Sequence, residues 1–143
     1  CPVTSMKLDG TGNVRGLAAR DAETGEEFEV GARAIVNATG VFVDAIRQMA
    51  DARESHLVRA SQGIHLVVDR SFLPGKTAII VPSTDDGRVL FVIPWNEHVI
   101  IGTTDVPVDT IDLEPCARPE EVQFVLDHAA RYLTKDPTPT DVL

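Results

Sequence analysis

Asp86-Gly87-Arg88-Val89-Leu90-Phe91-Val92-Ile93-Pro94-Trp95-Asn96-Glu97-His98-Val99-Ile100-Ile101-Gly102 is the stretch that decides the fold. Two runs rich in branched and aromatic residues, Arg88 to Ile93 and His98 to Gly102, enclose the turn-forming group Pro94 to Glu97. Side chains of that shape suit pleated strands, and a short polar break between two such runs sends the chain back antiparallel. Upstream, Ser83 to Gly87 separates the first run from Thr77-Ala78-Ile79-Ile80-Val81. Earlier still, Leu57 to Val68 carries a strand in which Ile64, Leu66 and Val68 alternate with Gly63, His65 and Val67. Together these runs predict an antiparallel meander, with Trp95 packed on its apolar surface and Pro94 at a strand terminus.

Downstream, Pro119 suits a first helical turn and Glu120-Glu121 complement its positive end. Val122, Val125, Leu126, Ala129, Tyr132 and Leu133 then fall on one face, predicting an amphipathic helix to about Thr134 that Asp136-Pro137-Thr138-Pro139 stops. Near the start of the chain, Val14 to Arg20 and Glu27 to Val30 flank a turn containing Gly25 and read as a hairpin. Arg33 to Ala38 reads as a buried strand ending at Thr39-Gly40, after which Val41, Ala45, Ile46 and Met49 recur at helical spacing. Asp51 to Ser55 is polar and marks a linker, so residues 1–52 and 53–143 are expected to belong to different domains. The expected class is α+β, an antiparallel sheet with a packed helix plus a smaller strand-and-helix piece.

Composition narrows the function. The 43% apolar and 24% charged content of the 143 residues fits a folded domain with a Val, Ile, Leu and Ala core, since aromatics make up only 5%. A net charge of −9 with no basic run argues against nucleic acid as a partner. Two cysteines, Cys1 and Cys116, have neither zinc-site spacing nor disulfide density, so no metal is expected and a reduced, cytoplasmic compartment is the default. The apolar stretches are too short to span a bilayer and no signal pattern opens the chain. Beginning at Cys1 and ending at Leu143 without terminal punctuation, the chain reads as an internal piece of a longer one.

Three segments can carry chemistry. In Asn37-Ala38-Thr39-Gly40, small residues lead into a helix start, where backbone can approach a ligand closely; the plainer reading is a tight turn that needs Gly40. In Arg59-Ala60-Ser61-Gln62-Gly63-Ile64-His65, the alternation puts His65 beside the gap at Gly63, a place for a small polar ligand, although a lone strand histidine is often structural. In Ile101-Gly102-Thr103-Thr104-Asp105, an apolar strand gives way abruptly to two hydroxyls and a carboxylate, either a site at a strand end or a solvated turn. Lys76, Arg70 and Arg88 are basic residues available to a phosphate, or plain surface.

Taken in order, Asn37 to Gly40, Arg59 to His65, Asp86 to Trp95 and Ile101 to Asp105 resemble the middle of the FAD-dependent glycerol-3-phosphate dehydrogenases, within the D-amino-acid-oxidase-like superfamily. The resemblance covers nearly the whole chain and is most specific from Ser61 to Asp105. It implies a Rossmann-like FAD domain interleaved with a substrate domain, oxidation of glycerol 3-phosphate to dihydroxyacetone phosphate, and electrons passed to quinone, with the enzyme cytoplasmic or peripheral on the cytoplasmic face of the inner membrane. It implies further that Asn37, Ala38, Thr39 and Gly40, with Thr103, Thr104 and Asp105, face the FAD. Arg59, Gly63, His65 and Thr103 would face the substrate, with His65 as the base or as a hydrogen-bond partner of the substrate. The chain departs from the family in having no Gly-x-Gly-x-x-Gly turn and no Gly-Ile-Arg-Pro-Leu-like segment, so by itself it is expected to hold no flavin and turn nothing over. Apolar surface meant for absent neighbours would favour self-association. Two alternatives stand beside this reading: a related oxidase or amine oxidase relative using oxygen, and a stand-alone β-rich binding module.

Overall fold

The computed structural model describes all 143 residues. They form two compact units, Cys1–Ala60 and Ser61–Leu143, a division that falls later than the boundary expected after residue 52.

In the first unit, β1 (Val3–Leu8), β2 (Val14–Arg20) and β3 (Glu27–Gly31) form an antiparallel sheet in chain order. The expected hairpin is β2–β3, with Gly25 at φ 77° in its turn, and β1 is an additional strand that weak alternation concealed. Residues 33–39 are irregular, which corrects the expected buried strand: Val36 is 89% exposed. A short apolar run becomes a strand only where a neighbour supplies ladder hydrogen bonds, and none of this unit's three strands pairs with it. A single 3-10 turn, Gly40–Phe42, leads into α1 (Val43–Ala50), as the helical spacing from Val41 predicts.

Asp44 secures the end of this unit. Buried on α1, its carboxylate accepts the Leu57 N–H (2.9 and 3.0 Å to its two oxygens), the Val58 N–H (3.1 Å) and Arg47 Nη1 (3.0 Å). Arg47 in turn donates to the Ser55 carbonyl at 2.9 Å and pairs with Glu54. The segment after α1 is therefore tied to the helix by charge-assisted hydrogen bonds.

In the second unit, β4 (Ser61–Gln62) pairs with β9 (Val106–Pro107), and β5 (His65–Asp69), β6 (Ile79–Val81), β7 (Leu90–Trp95) and β8 (His98–Gly102) form an antiparallel sheet ordered β5-β8-β7-β6. Only β6 to β8 is a meander. The first strand crosses over to lie beside the last, which corrects the simple meander expected and brings His65 opposite Gly102. The inner face buries Leu66, Val68, Leu90, Val92, Val99 and Ile101 against Val125, Leu126, Ala129 and Leu133 of the α2 region, α2 itself spanning Pro119–Ala130. Each such side chain removed from water contributes about 1.5–3 kcal/mol, so this core dominates the unit's stability. The helix stops at Ala130, earlier than predicted, and Tyr132 is 47% exposed, off the apolar stripe.

Polar contacts fix where α2 lies. His128 is buried, its Nδ1 donating to the Phe124 carbonyl at 2.8 Å and its Nε2 lying 3.1 Å from the Asp85 N and 3.3 Å from the Asp85 carboxylate. Arg131 then holds both Asp85 oxygens at 2.6 and 2.7 Å. The turn between β6 and β7 is thus latched to the helix end.

Candidate functional site

The outer face of the four-stranded sheet is where the second and third sequence segments meet. Register puts His65, Gly102, Phe91 and Ile80 in one row across the sheet, Val67, Ile100 and Ile93 in the next, and Asp69, His98 and Trp95 in a third. Large apolar groups stand uncovered there: Phe91 is 39% exposed, Ile80 62% and Trp95 60%. Trp95 therefore lies on the face opposite the core, correcting its expected packing role, because Leu90 and Val92 take the inward positions of a strand with period two.

His65 projects from this face as an exposed imidazole, lying over the one residue in its row with no side chain. A Cβ added to Gly102 would sit 2.6 Å from His65 Cδ2 and 2.9 Å from the Ile64 carbonyl oxygen, so glycine is what lets the ring occupy the space over that position. Gly63 is as tightly placed: a Cβ there would meet the Thr104 carbonyl oxygen at 2.1 Å and Thr103 Oγ1 at 2.9 Å. Two glycines thus permit the chain before His65 and the chain around Thr103 to touch, which the sequence indicated only as a gap at Gly63.

Hydrogen bonds hold that contact. Thr103 is half-buried, its hydroxyl donating to the Thr104 carbonyl at 2.9 Å. Thr104 is buried, so its Oγ1 faces inward, accepting the Ile64 N–H at 2.9 Å and donating to Glu121 Oε1 at 2.6 Å. Gln62 Nε2 reaches the other Glu121 oxygen at 2.9 Å and the Cys116 carbonyl at 3.3 Å. Burial opposes ionisation of Glu121, but the hydroxyl of Thr104, the amide of Gln62 and the first helical turn at Arg118 outweigh it and hold its carboxyl below the usual range. In the sequence Glu121 reads as a residue complementing the helix dipole. Its position four before Val125 and eight before Ala129, on the apolar stripe, is the signal that marks it as buried.

The other sequence candidates divide. Asp105 is exposed, and its carbonyl accepts from Arg88 Nη1 at 3.0 Å. Arg88 is committed to Asp86, whose carboxyl it holds well below the ordinary range, and its guanidinium lies 5.0 Å over the Phe124 ring. Arg70 is likewise spent on the Leu73, Pro74 and Gly75 carbonyls. Neither guanidinium stands free for a phosphate. A recess of about 140 Å³ lined by Arg88, Thr104, Val106, Glu120, Glu121 and Phe124 lies beside this cluster.

Arg59 and Asn37 to Gly40 lie in the first unit. Arg59 is exposed. Asn37 organises its turn: Oδ1 accepts Thr39 Oγ1 at 2.7 Å and the Thr39 N–H at 3.3 Å, while Nδ2 donates to the Val43 carbonyl at 2.9 Å. Ala38 and Thr39 are exposed, and Gly40 has φ 57° with open space where a Cβ would project. The turn reading and the close-approach reading are compatible here, since the positive φ requires glycine and the side beside it is clear.

A family described as "FAD dependent oxidoreductase" matches residues 1–143. The probable mitochondrial glycerol-3-phosphate dehydrogenase of Caenorhabditis elegans is 39% identical over 135 residues, 94% of this chain and 19% of that protein. The mitochondrial glycerol-3-phosphate dehydrogenase of Homo sapiens is 38% identical over 128 residues, 88% of this chain and 18% of that protein. A crystal structure of the Bacillus halodurans glycerol-3-phosphate dehydrogenase complexed with FAD superposes with a TM-score of 0.88 at 34% identity, covering 99% of this chain and 28% of that one. The chain thus spans about a fifth of the length of these curated relatives. Matched from its first residue to its last, the chain belongs to the FAD dependent oxidoreductase family.

Proposed function

We propose that this chain is one segment of an FAD-dependent dehydrogenase that oxidises glycerol 3-phosphate to dihydroxyacetone phosphate, with Ser61–Leu143 forming part of the substrate domain and Cys1–Ala60 part of the FAD domain. The observation that carries the reading is the outer sheet face, an exposed apolar wall with one imidazole laid over a glycine and a threonine hydroxyl at its edge. Apolar walls with a few convergent polar groups are what a flat ring and a small substrate require. Relatives named glycerol-3-phosphate dehydrogenase, at 36–39% identity, support the substrate, and the FAD-bound structural neighbour supports the cofactor.

The residues present suit such a cofactor. Asn37, Ala38, Thr39 and Gly40 would offer an open turn, clear of any side chain at Gly40, and Thr103 and Asp105 would lie along the second contact; Thr104, whose hydroxyl is turned inward to Ile64 and Glu121, would offer no side chain there. When bound, FAD supplies a hydride acceptor. The protein must then take the proton from the C2 hydroxyl, and in this reading His65 accepts it; Gly63 lets the chain around Thr103 pack close beside the His65 strand, Thr103 offers a hydroxyl, and Arg59 balances phosphate charge. Electrons leave to a membrane quinone, so the enzyme rests on the membrane's cytoplasmic face. No helix of these 143 residues is long and apolar enough to cross a membrane.

On this reading the 143 residues alone bind no flavin and self-associate through the uncovered face, because the remaining walls of the site lie in other segments. The test is purification of the full-length enzyme with its flavin, followed by anaerobic addition of glycerol 3-phosphate. Bleaching of the flavin, reversed faster by a soluble quinone than by oxygen, is expected. Bleaching reversed faster by oxygen would make the enzyme an oxidase, and no bleaching would overturn the substrate assignment.

A further inference from the structure

Glu121 is the only carboxylate of the second unit buried to 3%, and the two groups it holds lie on either side of the site rather than on its own helix. One oxygen takes the Thr104 hydroxyl at 2.6 Å, immediately after Thr103; the other takes the Gln62 amide at 2.9 Å, three residues before His65. Thr104 Oγ1 passes the connection on by accepting the Ile64 N–H at 2.9 Å, next to His65. From these contacts we infer that Glu121 is a positioning residue: it clamps the His65 strand and the Thr103 strand end at a fixed spacing, and so sets the distance between the imidazole and the hydroxyl. The inference rests on the functional reading above.

A single carboxylate suits the task because it accepts only. Thr104 already uses one lone pair on Ile64, so its proton must go to an acceptor, and Gln62 brings a second donor to the same point. The close approach that Gly63 permits, with its Cα side against the Thr104 carbonyl, gives the clamp no slack. Replacing Glu121 by methionine keeps the length and apolar bulk but strands both donors, and the two strand ends then relax apart. Replacing it by glutamine keeps an acceptor for Thr104, while the Gln62 amide can turn over and accept from the new NH2 group, giving up only its longer 3.3 Å contact with the Cys116 carbonyl. Glutamine therefore restores the clamp without the charge.

The experiment compares Glu121→Met and Glu121→Gln in the full-length flavin-loaded enzyme, by steady-state kinetics and by amide exchange. A displacement of reacting groups by about 1 Å costs up to roughly 100-fold in rate. Glu121→Met is expected to lower kcat about 10- to 100-fold with KM and flavin content nearly unchanged, and Glu121→Gln to recover most of that loss. In the same enzyme, Glu121→Met should speed exchange of the Ile64 amide while Val68 and Val99 keep their protection. An unchanged kcat in Glu121→Met, equal losses in both variants, or uniform acceleration of exchange across β5 and β8 would each overturn the positioning role. Should Glu121→Met fail to fold, Thr104→Val cuts the same connection with an isosteric side chain, and an unchanged kcat there overturns the role as well. A wild-type enzyme inert toward glycerol 3-phosphate would instead remove the functional reading, which separates the two failures.

Discussion

Gly63 shows how a single residue shapes the site. A methyl group there would lie 2.1 Å from a backbone oxygen, which cannot swing aside as a side chain would. Gly63→Ala should therefore destabilise the second unit by about 1–3 kcal/mol in urea unfolding, as overpacking typically does. Gly75→Ala, with nothing within 4 Å of the new methyl, should stay within about 0.5 kcal/mol of wild type. Asp44 makes a different residue-scale prediction. The Val58 and Leu57 N–H groups, with Arg47 and His56, lower its pKa from 3.8 to about 2. A carboxylate depressed on folding contributes stability that is fully present above its unfolded value and disappears as pH falls through the folded one. Amide protection at Leu57 and Val58 should hold at neutral pH and fade between about 4 and 2, and Asp44→Asn should weaken it at neutral pH but make little further difference at the acid end.

Among the elements, α2 separates packing from charge. Leu126 is 2% exposed within the core, whereas the Arg131–Asp85 pair lies at the surface. Leu126→Ala should cost about 2–5 kcal/mol, and Arg131→Ala less than about 1 kcal/mol despite its two short hydrogen bonds. Far-UV circular dichroism through a urea titration would read both; Trp95 fluorescence is the poorer probe, because that ring is already 60% exposed. The strands and α2 were legible because their patterns are local: Ile64, Leu66 and Val68 alternate, and Val122, Val125, Leu126 and Ala129 keep helical spacing. Two features escaped that kind of reading. The run from Val89 to Ile93 is apolar on both faces, so no alternation reveals which side Trp95 takes. Pairing of β5 with β8 depends on a crossover, which periodicity does not encode. Residues 33–38 failed for a third reason, since an apolar run has strand propensity but needs a partner edge. At the candidate site, His65, Gly63 and Thr103 are legible as interruptions in strands, whereas Glu121 reads as a helix-start acid because its contacts with Gln62 and Thr104 are tertiary.

For the whole molecule, the distribution of the core has its own consequence. The cluster running from Ile64 to Leu133 lies wholly in Ser61–Leu143, while the buried apolar residues of Cys1–Ala60 are the alanines Ala18, Ala19 and Ala60. Alanine buries little area, so hydrogen exchange should be slowest in β5, β7 and β8 and faster throughout β1 to β3. The inverse order would mean that burial does not set stability here. The functional account rests on His65 standing at the reacting end of the uncovered sheet face. The measurement that bears on it most directly is anaerobic single-turnover reduction of the flavin by glycerol 3-phosphate in the full-length enzyme and its His65→Gln variant. The account predicts full flavin content in both and reduction slowed at least about 100-fold in the variant, the usual scale for loss of a positioned base; equal reduction rates would contradict it.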